Sequence, residues 1–166
     1  MNNYDDKFWM NEAIKYAEEG MNKFSELPIA SILVSDGKEI GREITANVRK
    51  NSLIAHSEYL VLNNATKNII FQKHPLVLYT TLEPCIMCIG AAVECGIDRI
   101  VYAMDAKIDG GACYRDVLCD IKEIIPKVEG GLFKEKSLEL MKRFRKKFDE
   151  RNPAYYYVKE LLKDIE

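Results

Sequence analysis

Several absences narrow the reading of this 166-residue chain. No apolar run approaches the ~20 residues needed to span a bilayer as a helix. The opening residues, Met1-Asn2-Asn3-Tyr4-Asp5-Asp6, have neither the basic start nor the apolar stretch of an export signal, so a cytoplasmic protein is expected. Positive charge is not in surplus. Twenty-four Lys+Arg stand against 26 Asp+Glu for a net charge of −2, which excludes a globally basic nucleic-acid coat but not a local basic patch. The five cysteines are odd in number and lack an export signal, which argues for reduced thiols over a disulfide framework. Histidine is scarce, at two residues. No linker, internal repeat or low-complexity segment divides the chain.

What is present is the composition of a soluble globular protein, 48% apolar and 30% charged, at the length of one domain. Phe8, Trp9, Ala13, Ile14, Ala17, Met21 and Phe24 recur at helical spacing with polar and charged residues between them. Ile29 to Val34, the Asp36-Gly37 step and Glu39 to Ile44 read as a β-hairpin. A polar loop over 45–54 leads into a helix from His56 to Lys67. Leu76 to Thr80 and Arg99 to Ala103 are short continuous apolar runs of the kind buried on both faces of a sheet. Between them lies a helix from Pro84 to Cys95, and Glu123 to Ile125 is a candidate further strand. Helices over Lys134–Glu150 and from Pro153 onward complete the chain. This order predicts one α/β domain with a mixed sheet and helices on its faces.

Two short motifs carry chemistry: Ala55-His56-Ser57-Glu58 and Thr81-Leu82-Glu83-Pro84-Cys85-Ile86-Met87-Cys88. Cysteines three apart on a first helical turn point their sulfurs the same way, and a helix N-terminus favours thiolate over thiol. One imidazole and two thiolates suit zinc, whereas a structural zinc site normally has four protein ligands. The other histidine, His74, has no partner at finger spacing, so His56, Cys85 and Cys88 predict an open fourth position occupied by water. Glu58, two residues past the histidine, is then placed to take a proton from that water and pass it to a leaving group. A redox or buried-thiol Cys pair and a purely structural zinc are the competing readings. The first leaves His56 and Glu58 unexplained, and the second lacks a fourth ligand.

His-x-Glu followed by Pro-Cys-x-x-Cys resembles the zinc-dependent cytidine and nucleobase deaminase superfamily. The resemblance runs over most of the chain, with Glu26-Leu27-Pro28-Ile29-Ala30 similar to the family's first strand and Thr81 to Gly90 to its metal-binding helix. It implies a three-layer α/β/α domain with about five strands in a mixed sheet, spanning 1–166, with 152–166 as a C-terminal tail or lid. It also implies Zn2+ on His56, Cys85 and Cys88, Glu58 as proton shuttle, and attack of zinc-bound hydroxide on an amino-substituted ring with release of ammonia. Asn47, Ala55 and Pro84 would contact the substrate, and the family suggests a homodimer. A non-catalytic zinc-binding protein on the same fold is the alternative of another class. Glu58 argues against it.

The substrate is less legible. Asp105-Ala106-Lys107, Gly110-Gly111 and Asp116-Val117-Leu118 resemble the post-strand loop of bacterial tRNA adenosine deaminases. The helix Leu140–Arg151, bearing Lys142, Arg143, Arg145, Lys146, Lys147 and Arg151, would then face tRNA or simply be a solvated helix face. Against this, the loop before His56 is short and lacks an Asp-Pro step. Further, His-Ser-Glu replaces His-Ala-Glu, and Cys113-Tyr114-Arg115 stands where a Gly-Ser-Leu stretch is usual. The aromatic segment Asn152 to Tyr157 also resembles the lid of free-base deaminases, ordinary core or dimer packing being its plainer reading. Lys134 to Glu166 holds ten bases against seven acids, a mild excess for phosphate binding. A small nucleobase or nucleoside of the cytosine, guanine or adenine type is therefore expected ahead of adenosine in a tRNA anticodon loop.

Overall fold

The structure, a computed structural model, describes residues 5–65, 75–114, 123–163 and 165. His74, Cys119 and Asp116-Val117-Leu118 lie outside the described residues. Helix α1 (Asp6–Phe24) begins with the Asp5 carboxylate accepting the Phe8 N–H at 2.9 Å, and it buries Trp9, Met10, Ala13, Ile14, Ala17 and Met21. Strands β1 (Ala30–Ser35) and β2 (Lys38–Ile44) form the expected hairpin. Asp36 and Gly37 both have positive φ, the geometry that lets a two-residue turn follow the strand twist. Helix α2 (Ser57–Ala65), β3 (Leu76–Leu82), α3 (Ile86–Glu94) and β4 (Arg99–Met104) follow, then β5 (Lys127–Glu129), α4 (Lys134–Lys147) and α5 (Tyr155–Leu162).

The sheet order is β2-β1-β3-β4-β5. β1 is antiparallel to β2 and β3, while β4 is parallel to β3 and β5. Side chains alternate between its faces. Ile32, Tyr79 and Val101 meet α1, α4 and α5 on one side. Leu33, Leu78 and Ile100 meet α2 and α3 on the other. The three-layer α/β/α architecture with a mixed five-stranded sheet is as expected.

Two boundaries differ from the sequence reading. The metal-motif helix starts at Ile86, so Cys85 is its N-cap and Pro84 stands outside it. The last strand lies after Pro126, which has no N–H for the ladder. Glu123 to Ile125 instead form a turn that buries Ile125 and leaves Ile124 exposed. In the C-terminal segment Val158, Leu161 and Leu162 are buried in the core beside Leu140, Met141 and Phe144, in line with the plainer reading of core packing.

Candidate active site

Both motifs lie at the starts of the two helices, α2 and α3, that pack on the same face of the sheet. His56 is the last residue before α2, and its carbonyl accepts the Leu60 N–H at 2.9 Å. The loop leading to it is held by Glu26, a fully buried carboxylate that accepts N–H groups of Val48 (3.1 Å) and Arg49 (2.7 Å). The Arg49 guanidinium also reaches Glu26 and lies over the Phe24 ring. Inside the loop, Asn47 Nδ2 donates to the Ser52 carbonyl at 2.9 Å, and its Oδ1 lies 2.5 Å from Thr45 Oγ1.

Cys85 caps α3 and Cys88 lies in that helix's first turn. The loop after β4 is pinned beneath them. Glu83 accepts the N–H groups of Ala106 and Ala112, both at 3.0 Å, and Gly111 donates to the Pro84 carbonyl at 2.8 Å. Gly110 and Gly111 allow this approach. A Cβ on Gly110 would meet the Glu83 carboxylate, and one on Gly111 would lie 2.8 Å from the Ile86 nitrogen.

Cys85 Sγ lies 3.5 Å from His56 Nδ1 and 3.7 Å from Cys88 Sγ, and Cys88 Sγ is 3.7 Å from the same nitrogen. A tetrahedral zinc with bonds of about 2.3 Å to sulfur and about 2.0–2.1 Å to nitrogen requires S···S of about 3.8 Å and S···N of about 3.5–3.6 Å. The donor set therefore fits zinc. Among the described residues no other His, Cys, Asp or Glu joins this group, which therefore offers three protein ligands. Cys85 is pushed down to about 4, first by the Cys88 thiol hydrogen-bonded to it and then by His56. That same bond, together with burial, pushes the Cys88 thiol up.

A cavity of about 360 Å3 opens beside the group, lined by His56, Cys85, Glu58 and Asn47, with Leu27 and Tyr157 among its other walls. Glu58 is buried, and desolvation holds its carboxyl above the ordinary value, opposed by hydrogen bonds from its own backbone amide and from Ser57. Ala55 and Pro84 are buried and do not line the cavity. Their carbonyls instead accept from the N–H of Ala46 (2.9 Å) and from that of Gly111.

Sequence reasoning missed Asp109 and Tyr157. Both line the cavity, and the Tyr157 hydroxyl donates to Asp109 Oδ1 at 3.0 Å. Burial raises Asp109, an effect the Tyr157 hydroxyl opposes, while Tyr157 itself is raised by burial and by Asp109. The post-strand loop and the aromatic tail were recognisable as sources of pocket residues, but their meeting was not. No residue of α4 lines the cavity. Arg143 pairs with Glu18 at 2.6 Å, and Lys147 reaches Asn22 at 2.9 Å, so part of the basic face is spent on α1.

A His/Cys/Cys group of zinc dimensions, an adjacent buried glutamate and a three-layer fold define a zinc-dependent deaminase. Residues 3–104 match the cytidine and deoxycytidylate deaminase zinc-binding region, and the chain belongs to that family. It is 32% identical over 157 residues to a tRNA-specific adenosine deaminase of Streptococcus pyogenes serotype M3 (strain ATCC BAA-595 / MGAS315), covering 92% of this chain and 91% of that one. It is 38% identical over 110 residues to the tRNA-specific adenosine deaminase of Bacillus subtilis (strain 168), covering 65% and 66%. Among solved structures, a tRNA:A34 deaminase superposes with a TM-score of 0.68 at 30% identity, over 80% of this chain and 98% of that one. Guanine deaminase from Nitrosomonas europaea shares the fold, with a TM-score of 0.74 at 18% identity over 84% of each chain. No helix among the described residues is long and apolar enough to cross a membrane.

Proposed function

We propose that this protein hydrolyses the exocyclic amine of adenosine in RNA, with a tRNA anticodon loop as its substrate, using zinc held by His56, Cys85 and Cys88. The observation that carries the reading is the 32% identity to a tRNA-specific adenosine deaminase over 92% of the chain, which extends well past the metal motifs. This reverses the substrate order expected from the departures near His56, the aromatic tail and the mild charge excess of the C-terminal segment. Charge summed over a chain does not report how a few phosphate contacts are displayed, and a short stem-loop needs only a few.

When bound, zinc lowers the pKa of water from about 15.7 toward about 7 and so supplies a nucleophile at neutral pH. Glu58 takes a proton from the attacking water and returns it to the departing amine. A C–O bond forms, the C–N bond breaks, and ammonia leaves. Burial makes the Glu58 carboxylate a better proton acceptor than an exposed one. Asn47 stands on the cavity wall as a substrate contact, while Ala55 and Pro84 act through backbone carbonyls that shape the loops beside it. Glu58→Gln should retain zinc and lose roughly 10^2–10^4-fold in turnover, measured as ammonia release per bound zinc. Undiminished turnover removes this mechanism.

A second reading, deamination of a free base or nucleoside, is favoured by one feature: Tyr157 and Asp109 meet across a cavity sized for a single small ligand. Ammonia release by zinc-loaded protein against an adenosine-bearing anticodon stem-loop, against free cytosine, guanine and adenine, and against their nucleosides separates the two. Turnover of the stem-loop supports the RNA reading. Turnover of a free base or nucleoside with no reaction on the stem-loop replaces it with the second.

A further inference from the structure

We propose that Ser57 is a positioning residue for Glu58, fixing the carboxylate through a buried chain of hydroxyls. Ser57 Oγ lies 3.0 Å from Glu58 Oε2 and 2.8 Å from Ser31 Oγ, and Ser31 Oγ lies 3.0 Å from Thr80 Oγ1. All three hydroxyl residues are fully buried. Ser31 and Thr80 are direct partners across the β1–β3 ladder, on the sheet face where Leu33 and Leu78 pack under α2. Polar groups in such an apolar layer cost free energy unless each finds a partner.

A carboxylate can only accept, so Ser57 donates to Glu58. Ser31 Oγ donates to Thr80 Oγ1, which ties the hydroxyl beside Ser57 to β3. The carboxylate is thus held at Oε2 on the wall of the cavity. Rotation about the terminal bond of a glutamate is otherwise broad, and a misplaced proton acceptor costs rate. An alanine at position 57 would keep the backbone and lose this hold.

The inference rests on the deaminase reading of Glu58 but not on the choice of substrate, so the assay uses whichever amine the wild-type protein turns over. Ser57→Ala should lower kcat about tenfold with KM, zinc stoichiometry and Tm near wild type. Crystals of the zinc-loaded variant should show the Glu58 carboxylate rotated or split between orientations. Should Ser57→Ala fail to fold, Ser57→Cys, of similar shape but a weak donor, should show the same fall in kcat without a change in KM. Wild-type kcat in a variant that binds zinc, or a single unmoved Glu58 carboxylate in Ser57→Ala, overturns the proposal. A wild-type protein that binds zinc and deaminates none of the amines instead sinks the underlying deaminase reading.

Discussion

Cys85 and Cys88 illustrate how two identical side chains, three residues apart, acquire opposite character. Cys85 caps a helix N-terminus beside His56 and lies near 4, whereas Cys88 is buried beneath it and is pushed up. At neutral pH the metal-free site therefore holds one thiolate and one thiol. Zinc takes thiolates, so uptake must expel the Cys88 proton. Zinc titration in weakly buffered solution at pH 7 should release about one proton per ion, more where His56 also gives one up. The sign follows: apparent zinc affinity should fall as pH is lowered, because protons compete for the same atoms. Calorimetry in buffers of different ionisation enthalpy would measure this release, and an uptake of zinc with no proton release would contradict the assignment.

Among the elements, the segment 105–114 after β4 fits closely against the metal motif. Gly111 lies on the backbone of Pro84, Cys85 and Ile86, where an added Cβ would stand 2.8–3.0 Å from three main-chain atoms. Main chain at a metal motif cannot yield as a flexible side chain does. Gly111→Ala should therefore destabilise the protein by about 1–3 kcal/mol and weaken zinc binding, as followed by thermal unfolding and metal titration. Gly90, in α3, provides the control. A Cβ there meets nothing within 4 Å, so Gly90→Ala should stabilise by about 0.5–1 kcal/mol through helix propensity alone. Helix α5 has a mixed role by the same kind of evidence: Val158, Leu161 and Leu162 anchor it in the core while Tyr157 alone reaches the cavity wall from its first turn.

Across the whole molecule, α1 is tied to the sheet by a small ionic network. Arg99 on β4 pairs with Asp6 at the start of α1 and with Glu129 on β5 at 2.7 Å, while the Tyr79 hydroxyl donates to Asp6 at 2.7 Å. The Arg99 guanidinium holds Asp6 below the usual carboxylate value. A carboxyl lowered in the folded state contributes stability above its unfolded value of 3.8, and that contribution is lost as pH falls through the folded value. Asp6→Asn should therefore cost on the order of 1 kcal/mol or less at pH 7, since the pair is partly solvated. The difference from wild type should shrink as pH falls below 3.8 and vanish once the folded-state Asp6 is itself protonated. Denaturant unfolding across pH would measure it. A difference that persists at low pH would show that packing, not charge, is responsible.

How much could be read in advance depended on the range of the interactions. The helix of Phe8 to Phe24, the Asp36-Gly37 hairpin and the His/Cys/Cys motif with Glu58 are local patterns, set by periodicity, turn chemistry and helix-end geometry within a few residues. Those alone determined the fold class and the metal chemistry. Small local facts misplaced the edges: Pro126 displaced the last strand, and the helix read from Pro84 starts at Ile86 with Cys85 as its cap. Only the tertiary structure decided which loops close the cavity, because Asp109 and Tyr157 are 48 residues apart. It also decided that Ser57, a one-letter departure from the usual motif, joins Ser31 and Thr80 rather than solvent. Charge on α4 met Glu18 of α1, a pairing no count of lysines and arginines contains. Spacing along a chain can specify a ligand set, whereas a pocket's walls are made by burial, which depends on every layer that packs around them.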